Sequence, residues 1–332
     1  MKMNKTLFLI AVFAALAILF PMMPISNNYL LHVGVIIFIH IIYGLSWNLL
    51  GGYTGQISFG HTMFLGMGAY TTMILMTRSG VNPLIAVIIG AVFAVFLAIP
   101  VGLILFKLRG PYFALGTLAI AEIVRLIATN WSSVTQGGVG ILLLNIPEIN
   151  LGFASVQLGT KVSIYYFALL FTVITIYVMS YIPNKKAGYY FMSIRADEDA
   201  SLALGIDTRL YKIYALVISA FFTGISGGIL AILIGIIEPE TVINVHLSSE
   251  MIFVAVIGGI GTIMGPIIGS FLLVILTEIL KDIIGTAYLV IYGFLLMLVI
   301  LYMPDGIYGF LTKMIKKYIT RKDDSGQRKE VS

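Results

Sequence analysis

Cysteine is absent from this chain of 332 residues. Its absence excludes disulfide bonds, thiolate metal ligands and a cysteine nucleophile. Charge is also scarce, because 11% of the residues are Asp, Glu, Lys or Arg, whereas a soluble domain has about 25%. Hydrophobic residues make up 59% of the chain, and its mean hydropathy is +1.03. A water-soluble globule could not cover its surface with so few polar side chains, so the sequence predicts an integral membrane protein.

Several chemical motifs are missing as well. The sequence has no Gly-x-x-x-x-Gly-Lys-Ser/Thr segment to hold nucleotide phosphates, so any ATP must be hydrolysed by another polypeptide. It has no His-Glu-x-x-His motif, and its four histidines supply no pair spaced four residues apart beside an acid, as a zinc site would require. The net charge of +5 comes from the chain ends and a few loops, which argues against nucleic acid binding. We expect no catalytic residue, metal site or cofactor on this chain, and no enzymatic activity.

Ten runs of mostly apolar residues are candidate spans of a bilayer, whose hydrocarbon core of roughly 30 Å needs about 20 helical residues. The runs are continuous rather than alternating, which indicates helices and not a β-barrel. The predicted fold class is all-α, a polytopic membrane protein of about ten transmembrane helices. The predicted spans are 7–25, 30–50, 58–77, 83–106, 111–130, 162–182, 212–235, 249–265, 266–281 and 286–303.

Two glycine-rich interruptions, at 51–56 and 258–266, are too short and too poor in charge to be clear loops. Helices broken at membrane depth are tolerated where they line a cavity or are buried in protein. We therefore expect broken or re-entrant segments at these two places. In the predicted topology both interruptions lie on the same side of the membrane, so they do not form an inverted pair.

The distribution of basic residues predicts the orientation. Only four of the 20 Lys and Arg residues, Arg78, Arg125, Lys161 and Lys281, fall outside the segments that are internal when the N-terminus is inside. Because cytoplasmic loops carry the excess of Lys and Arg, both termini are predicted to be cytoplasmic in a multi-pass protein of the cell (plasma or inner) membrane. The first run resembles a signal peptide, but no small-x-small cleavage site follows it, so we expect it to remain as a first helix.

The most polar stretch between two spans is 183–211. Within it, Asp197, Glu198 and Asp199 precede Ala200 and are typical of a helix start, where acidic side chains meet the positive end of the dipole. Gly205 is placed to end that short helix. Its apolar side needs a surface to pack against, and this could be the membrane-proximal surface of the chain itself or a separate cytoplasmic subunit.

Polar residues inside or beside the spans are candidates for a translocation pathway. Glu122 and Arg125 are three residues apart and can pair, either as a self-neutralised pair facing another helix or as part of the substrate route. Gln56, Ser58 and His61 follow the first interruption and could line a cavity or form a tight turn between closely packed helices.

Two further candidates lie elsewhere. Gln136, Gly137 and Gly138 belong to an external segment, 131–161, that is either a re-entrant turn or a flexible loop. Glu250 opens the eighth predicted span, where it could complement the helix dipole or face the pathway.

Seven glycine-rich or charged motifs are spread over about residues 35 to 305. They are 52–61 (GYTGQISFGH), 108–119 (LRGPYFALGTLA), 122–125 (EIVR), 135–141 (TQGGVGI), 194–200 (IRADEDA), 203–207 (ALGID), and 258–262 (GGIGT) continuing to Gly265 and Pro266. In these motifs and in their order, the sequence resembles the LivM-type family of branched-chain amino-acid ABC transporter permeases.

This resemblance implies an ABC importer permease fold with three parts: 1–28 as the first transmembrane helix, 29–310 as the permease domain and 311–332 as a basic cytoplasmic tail. It implies pairing with a second related permease, two cytoplasmic ATPases that bind ATP and Mg²⁺, and an extracytoplasmic substrate-binding protein. Asp199-Ala200-Ser201, three residues and Gly205 match the spacing of the ATPase-coupling loop, which is taken here as about 183–211 and includes Arg195, Asp197, Glu198, Asp199, Ala200 and Gly205.

Branched-chain amino acids are the substrates that the resemblance implies, with urea, short amides and other amino acids as alternatives. A different class of transporter, coupled to an ion or proton gradient, would need an intramembrane acid as carrier. Glu122 could serve as that carrier.

Overall fold

The computed structural model describes residues 2–24, 27–150, 155–156, 158–285, 293–294, 297, 301, 306–310 and 312–314. The tenth predicted span, 286–303, and the tail beyond 310 lie almost entirely outside the described residues. The α-helices are α1 Lys2–Leu19, α2 Asn28–Asn48, α3 Thr62–Ser79, α4 Pro83–Leu105, α5 Pro111–Asn130, α6 Ser132–Thr135, α7 Lys161–Tyr181, α8 Lys186–Ala196, α9 Glu198–Ala203, α10 Thr208–Ile234, α11 Pro239–Val242, α12 Val245–Gly259 and α13 Met264–Ile284.

Four two-residue strands accompany the helices: β1 Ile141–Leu142, β2 Ile149–Asn150, β3 Ser155–Val156 and β4 Ile236–Ile237. They form two antiparallel pairs, β1 with β4 and β2 with β3. The predicted helical membrane fold is confirmed, and these short pairs are the β structure among the described residues.

Seven helices in the described part of the chain are long and apolar enough to cross a membrane, so the count of ten is not confirmed. The helix at Ile10–Met22 is apolar but shorter, and α3 is too polar for its length because it contains Arg78 and several Thr and Gly residues. The seven are Asn28–Tyr53, Pro83–Leu105, Pro111–Asn130, Lys161–Asn184, Thr208–Ile234, Pro239–Gly259 and Met264–Ile283.

The core is built around α10, which packs against α2, α3 and α4. Glycines let these helices approach closely, since a Cβ atom on Gly68 would lie 2.1 Å from the Gly224 oxygen and one on Gly227 would lie 2.0 Å from the Leu65 oxygen. Small residues at helix contacts are how membrane helices gain packing where no hydrophobic force drives them together.

Helix α5 lies at the edge of the bundle. It contacts α3, α4 and α11, but one side of it is open, and Tyr112 and Leu115 are 72% and 62% exposed. Glu122 is on the same helix, so its polar side chain belongs to a helix that the described residues cover only in part.

Both predicted interruptions are real, but their bounds differ from the expectation. After α2 the chain makes a π-helical turn, Leu49–Tyr53, and no regular helix resumes until Thr62, so the span predicted at 58–77 begins four residues late. The second interruption is residues 260–263, so the spans predicted at 249–265 and 266–281 are in fact α12 and α13. The helix bounds differ from the prediction because a cluster of glycines indicates that a helix is interrupted but does not indicate at which residues it ends and resumes.

Candidate functional site

The stretch 183–211 folds into two consecutive helices, α8 and α9. A carboxylate oxygen of Asp197 accepts the N–H of Ala200 at 2.9 Å, which caps the first turn of α9. Glu198 and Asp199 occupy that turn. Gly205 follows the helix in a left-handed conformation, with φ of +83°, which glycine adopts without steric cost. The acidic start and glycine stop expected from the sequence are therefore present.

Two ion pairs attach α9 to the rest of the bundle. Lys212 of α10 is 1% exposed, and its Nζ lies 2.5 Å from a Glu198 carboxylate oxygen. The Thr208 hydroxyl donates to the other Glu198 oxygen at 3.4 Å. Arg109, in the turn between α4 and α5, lies 2.8 Å from an Asp199 oxygen at an exposed position. The acids thus hold α9 to two different parts of the chain, which the sequence pattern alone did not show.

The apolar side chains of α9 point away from the rest of the chain. Leu202 and Leu204 are 45% and 79% exposed, and Ala200 and Ala203 are exposed as well. Ser201 faces inward instead, with its hydroxyl 2.7 Å from that of Ser193. Of the two surfaces that the sequence left open, the described part of the chain leaves Leu204 largely, and Leu202 partly, uncovered. What remains is a small apolar patch bordered by acids.

Arg195, at the end of α8, is an exposed residue whose guanidinium nevertheless contacts the bundle. Its guanidinium donates to the carbonyl oxygen of Gly52, in the first interruption. A Cβ atom on Gly261, in the second interruption, would lie 2.5 Å from Arg195 Nη1. The segment containing α9 is therefore connected to both interruptions by one side chain.

Ser58 and His61 lie in the interior of the bundle. Both are fully buried, and His61 lies between the hydroxyls of Ser58 and Ser219 at 2.9 and 2.8 Å. The Ser219 hydroxyl donates to the carbonyl oxygen of Ser46 at 2.7 Å. This chain of hydrogen bonds fastens the segment after the first interruption to α10. These hydrogen bonds fit the tight-turn interpretation, and a pathway role for the two residues stays a prediction. Gln56 is half-buried.

Glu122 and Arg125 form the expected pair, through the Arg125 Nε at 2.9 Å, but they are not self-contained. Arg125 also lies 3.3 Å from a carboxylate oxygen of Glu240 in α11, so the group carries one more negative than positive charge. Glu122 is 47% exposed, which corrects the picture of a pair buried against another helix. It lines a cavity of about 380 Å³ together with Phe59, Thr62, Leu115 and Asn244.

Gln136, Gly137 and Gly138 belong to a well-defined turn. Helix α6 and the 3₁₀ turn Gly137–Val139 fold against the end of α5, and Arg78 donates to the carbonyl oxygens of Ser133 and Val134 at 3.0 and 2.7 Å. Strand β1 then pairs with β4 at the end of α10. These contacts favour the turn interpretation for residues 132–142, and the role of the three residues in the pathway stays a prediction. None of the three residues lines the cavity that contains Glu122.

Glu250 faces α2 and α13, away from Glu122. It lies in the second turn of α12 rather than at its start, because α12 begins at Val245, so it does not complement the first turn as expected. Its carboxylate is 3.9 Å from His40 Nε2 and 3.4 Å from His246 Nδ1. With His40 and Lys281 it lines a small polar cavity of about 150 Å³. The structure therefore splits the predicted pathway candidates among separate places.

The matches to known proteins agree with this architecture. A family model described as "Branched-chain amino acid transport system / permease component" matches residues 29–301. The chain belongs to this family. It is a multi-pass membrane protein and a permease subunit of the ABC importer type.

Two curated relatives match most of the length of this chain. Each is named "High-affinity branched-chain amino acid transport system permease protein LivM". The protein of Escherichia coli K12 is 28% identical, and that of Salmonella typhimurium LT2 is 29% identical. In each case the match spans 84% of this chain and 69% of the relative. No solved structure matches significantly.

Several residues that shape the site were missed in the sequence. Lys212 is the first residue of the predicted span 212–235, and this position indicates a cation that lies partly inside the bundle. Glu240 follows a proline at a helix start, a position typical of an acid near a helix N-terminus. Asn48 gave no signal, because its bonding partners lie more than 200 residues away in the chain.

Proposed function

We propose that this permease conducts branched-chain amino acids into the cell and is driven by ATP hydrolysis on two cytoplasmic ATPase subunits. The observation that carries the proposal is α9 together with Leu204, which caps its C-terminal end, and the two are called the coupling helix from here on. It exposes Leu202 and Leu204 while its acids fix it to α10 and to the α4–α5 turn. An exposed apolar patch on an anchored helix fits a groove on a partner protein.

The substrate class is supported by the relatives, whose names specify high-affinity branched-chain amino acid transport. Selectivity among leucine, isoleucine and valine would reside largely in an extracytoplasmic binding protein. That protein would dock at the end of the bundle opposite the coupling helix, where α6 and the β1–β4 pair lie. Both termini would be cytoplasmic, on the side of the coupling helix, and the protein would reside in the cell membrane.

The open side of α5 supports pairing with a second, related permease. The cavity lined by Glu122 is bordered by the exposed Leu115 and by Asn244 and Val245 at the start of α12. A pathway along this side would be completed by the partner, which would also cover α5. Glu122, Arg125 and Glu240 offer charges of both signs beside that route, as a zwitterionic amino acid requires.

The test is reconstitution of the permease with a second permease, the ATPase subunits and the binding protein in proteoliposomes. We expect accumulation of radiolabelled leucine that requires ATP and persists when a protonophore collapses the proton gradient. Unlabelled isoleucine and valine should compete, whereas urea and acetamide should not.

Two results would contradict the proposal. Uptake that stops with the protonophore at constant ATP would indicate a gradient-coupled secondary transporter. Competition by urea or amides, without competition by amino acids, would overturn the substrate assignment.

A further inference from the structure

The two helix interruptions meet at one place in the bundle. Asn48, which is 1% exposed, accepts the N–H of Gly261 and donates to the carbonyl oxygen of Thr262, both at 2.8 Å. The fit is close, because a Cβ atom on Gly52 would lie 2.7 Å from the Gly261 nitrogen. We call Asn48, Gly52, Gly55, Gly261 and Thr262 the glycine junction. It joins the end of α2 to the turn between α12 and α13.

Arg195 lies across the glycine junction. Its guanidinium donates to Gly52 and lies where a side chain on Gly261 would be. Its aliphatic stem rests on Gly55, where an added Cβ atom would be 3.2 Å from Arg195 Cγ. Gly55 and Gly261 have φ of +74° and +76°, a conformation that favours glycine. The absence of side chains at the junction is thus what admits the arginine.

Arg195 is also coupled mechanically to the coupling helix. It is the second-to-last residue of α8, and only Asp197 separates α8 from α9. The hydroxyls of Ser193 and Ser201, one on each helix, are 2.7 Å apart, and Asp197 caps the second helix. A displacement of the coupling helix therefore carries Arg195 with it.

We propose that Arg195 is the positioning residue that transmits movement of the coupling helix to the glycine junction. The inference rests on the proposed function, since it takes the ATPase subunits as the source of that movement. The glycine junction can change conformation when Arg195 moves, because its two segments lack regular α-helical hydrogen bonding. These segments are the π-helical turn Leu49–Tyr53 and residues 260–263. Helices bend at such places, and hinges of this kind absorb large backbone changes. Movement of Arg195 would thus shift the ends of α2, α12 and α13 together.

The test compares Arg195→Ala with the native permease in the complete transporter. We expect Arg195→Ala to co-purify with its ATPase subunits and to hydrolyse ATP within about twofold of the native rate. Leucine uptake should fall about tenfold or more, so that many more ATP molecules are consumed per substrate, as loss of coupling between sites requires. Lys107→Ala is the matched control, because it removes an exposed positive charge from the neighbouring α4–α5 turn and should change uptake less than about twofold.

A second measurement follows the movement itself. Because the chain has no cysteine, a cysteine can be placed at Ile57, exposed next to the junction, or at Tyr189, exposed on α8. The rate at which a maleimide labels this cysteine is measured on the permease, after it is separated from the other subunits by gel electrophoresis. It is measured with and without a non-hydrolysable ATP analogue. We expect nucleotide to change both rates in the native background. In the Arg195→Ala background only the rate at Tyr189 should still respond.

Three outcomes would overturn the inference. The first is native uptake per ATP in Arg195→Ala, and the second is a preserved nucleotide response at Ile57 in that background. If Arg195→Ala fails to assemble, Arg195→Lys and Arg195→Gln carry the test. The lysine should restore part of the uptake, because it can still donate to Gly52, and the glutamine should not. The third outcome is that Arg195→Lys and Arg195→Gln both import as much leucine per ATP as the native permease. Failure of the native complex to import leucine would instead refute the proposed function.

Discussion

Lys212 and Glu198 form an ion pair beneath the coupling helix. The two side chains of this pair differ in burial. The lysine is 1% exposed and the glutamate 21%, so the lysine depends on its partner for compensation of its charge. Burying an unpaired charge costs far more than a surface pair gains. The exposed pair between Arg109 and Asp199, with side chains 59% and 73% exposed, provides the contrast on the same helix.

We therefore predict that Glu198→Gln lowers the local opening free energy of α9 by about 1–3 kcal/mol, because the buried Lys212 loses its charged partner. Arg109→Ala should lower it by about 1 kcal/mol or less. Hydrogen–deuterium exchange of the α9 amides measures both. The double variant Glu198→Gln with Lys212→Met should recover most of the loss, since the buried charge is then removed. Equal effects of the two single variants would show that burial of Lys212 does not matter.

At the residue scale, what could be predicted from the sequence was local. The acidic helix start at 197–199 and the stop at Gly205 follow from the chemistry of helix ends, and the Glu122–Arg125 pair follows from spacing on one helix. The partners of Glu198, His61 and Asn48 could not be predicted, because they lie on helices that only tertiary packing brings near.

At the scale of helices, packing through glycine dominates. Helices α3 and α10 approach until backbone meets backbone, and a Cβ atom on Gly68 would lie 2.1 Å from the Gly224 oxygen and 2.6 Å from its Cα atom. Neither helix can yield locally, since each packs against further helices of the core.

We predict that Gly68→Val destabilises the permease strongly, by about 3 kcal/mol or more, because overpacking against rigid backbone forces helices apart. Thermal unfolding of the purified protein, followed by size-exclusion chromatography, measures the loss of folded protein. Gly159→Ala is the control, because nothing lies within 4 Å of its added Cβ atom. A melting temperature for Gly68→Val within about 2 °C of the native value would show that the α3–α10 contact is looser than described.

Helix bounds were predictable where polar residues or prolines mark the ends. The predictions for α4, α5 and α7 agree with the structure within one residue, since Pro83, Pro111 and Thr160 define their starts. The bounds of α3, α12 and α13 were displaced, because the interruptions are composed of glycine and apolar residues that give no cap signal. The short elements α6, α11 and β1 to β4 were not predicted, since two to four residues carry no periodicity.

At the scale of the whole molecule, composition and ordered motifs were enough to predict a membrane permease, and the family match agrees. The edge position of α5 was not predictable, because an apolar run looks alike whether it faces lipid, a second permease or the core. The same limit explains why residues on several helices were grouped as one pathway. The structure places Glu122, Glu250 and Gln136 at three separate locations.

The claim on which the functional account depends is that the exposed end of the coupling helix holds the ATPase subunits. Leu204, 79% exposed, can be compared with Leu144, which is 82% exposed and lies beyond β1 near the opposite end of α10. The direct measurement is the amount of ATPase subunit retained by affinity-purified permease carrying Leu204→Asp or Leu144→Asp. We predict that Leu204→Asp loses about tenfold or more of the bound subunit, as truncation of a central apolar contact does, and that Leu144→Asp retains it. Equal retention by both variants would contradict the account.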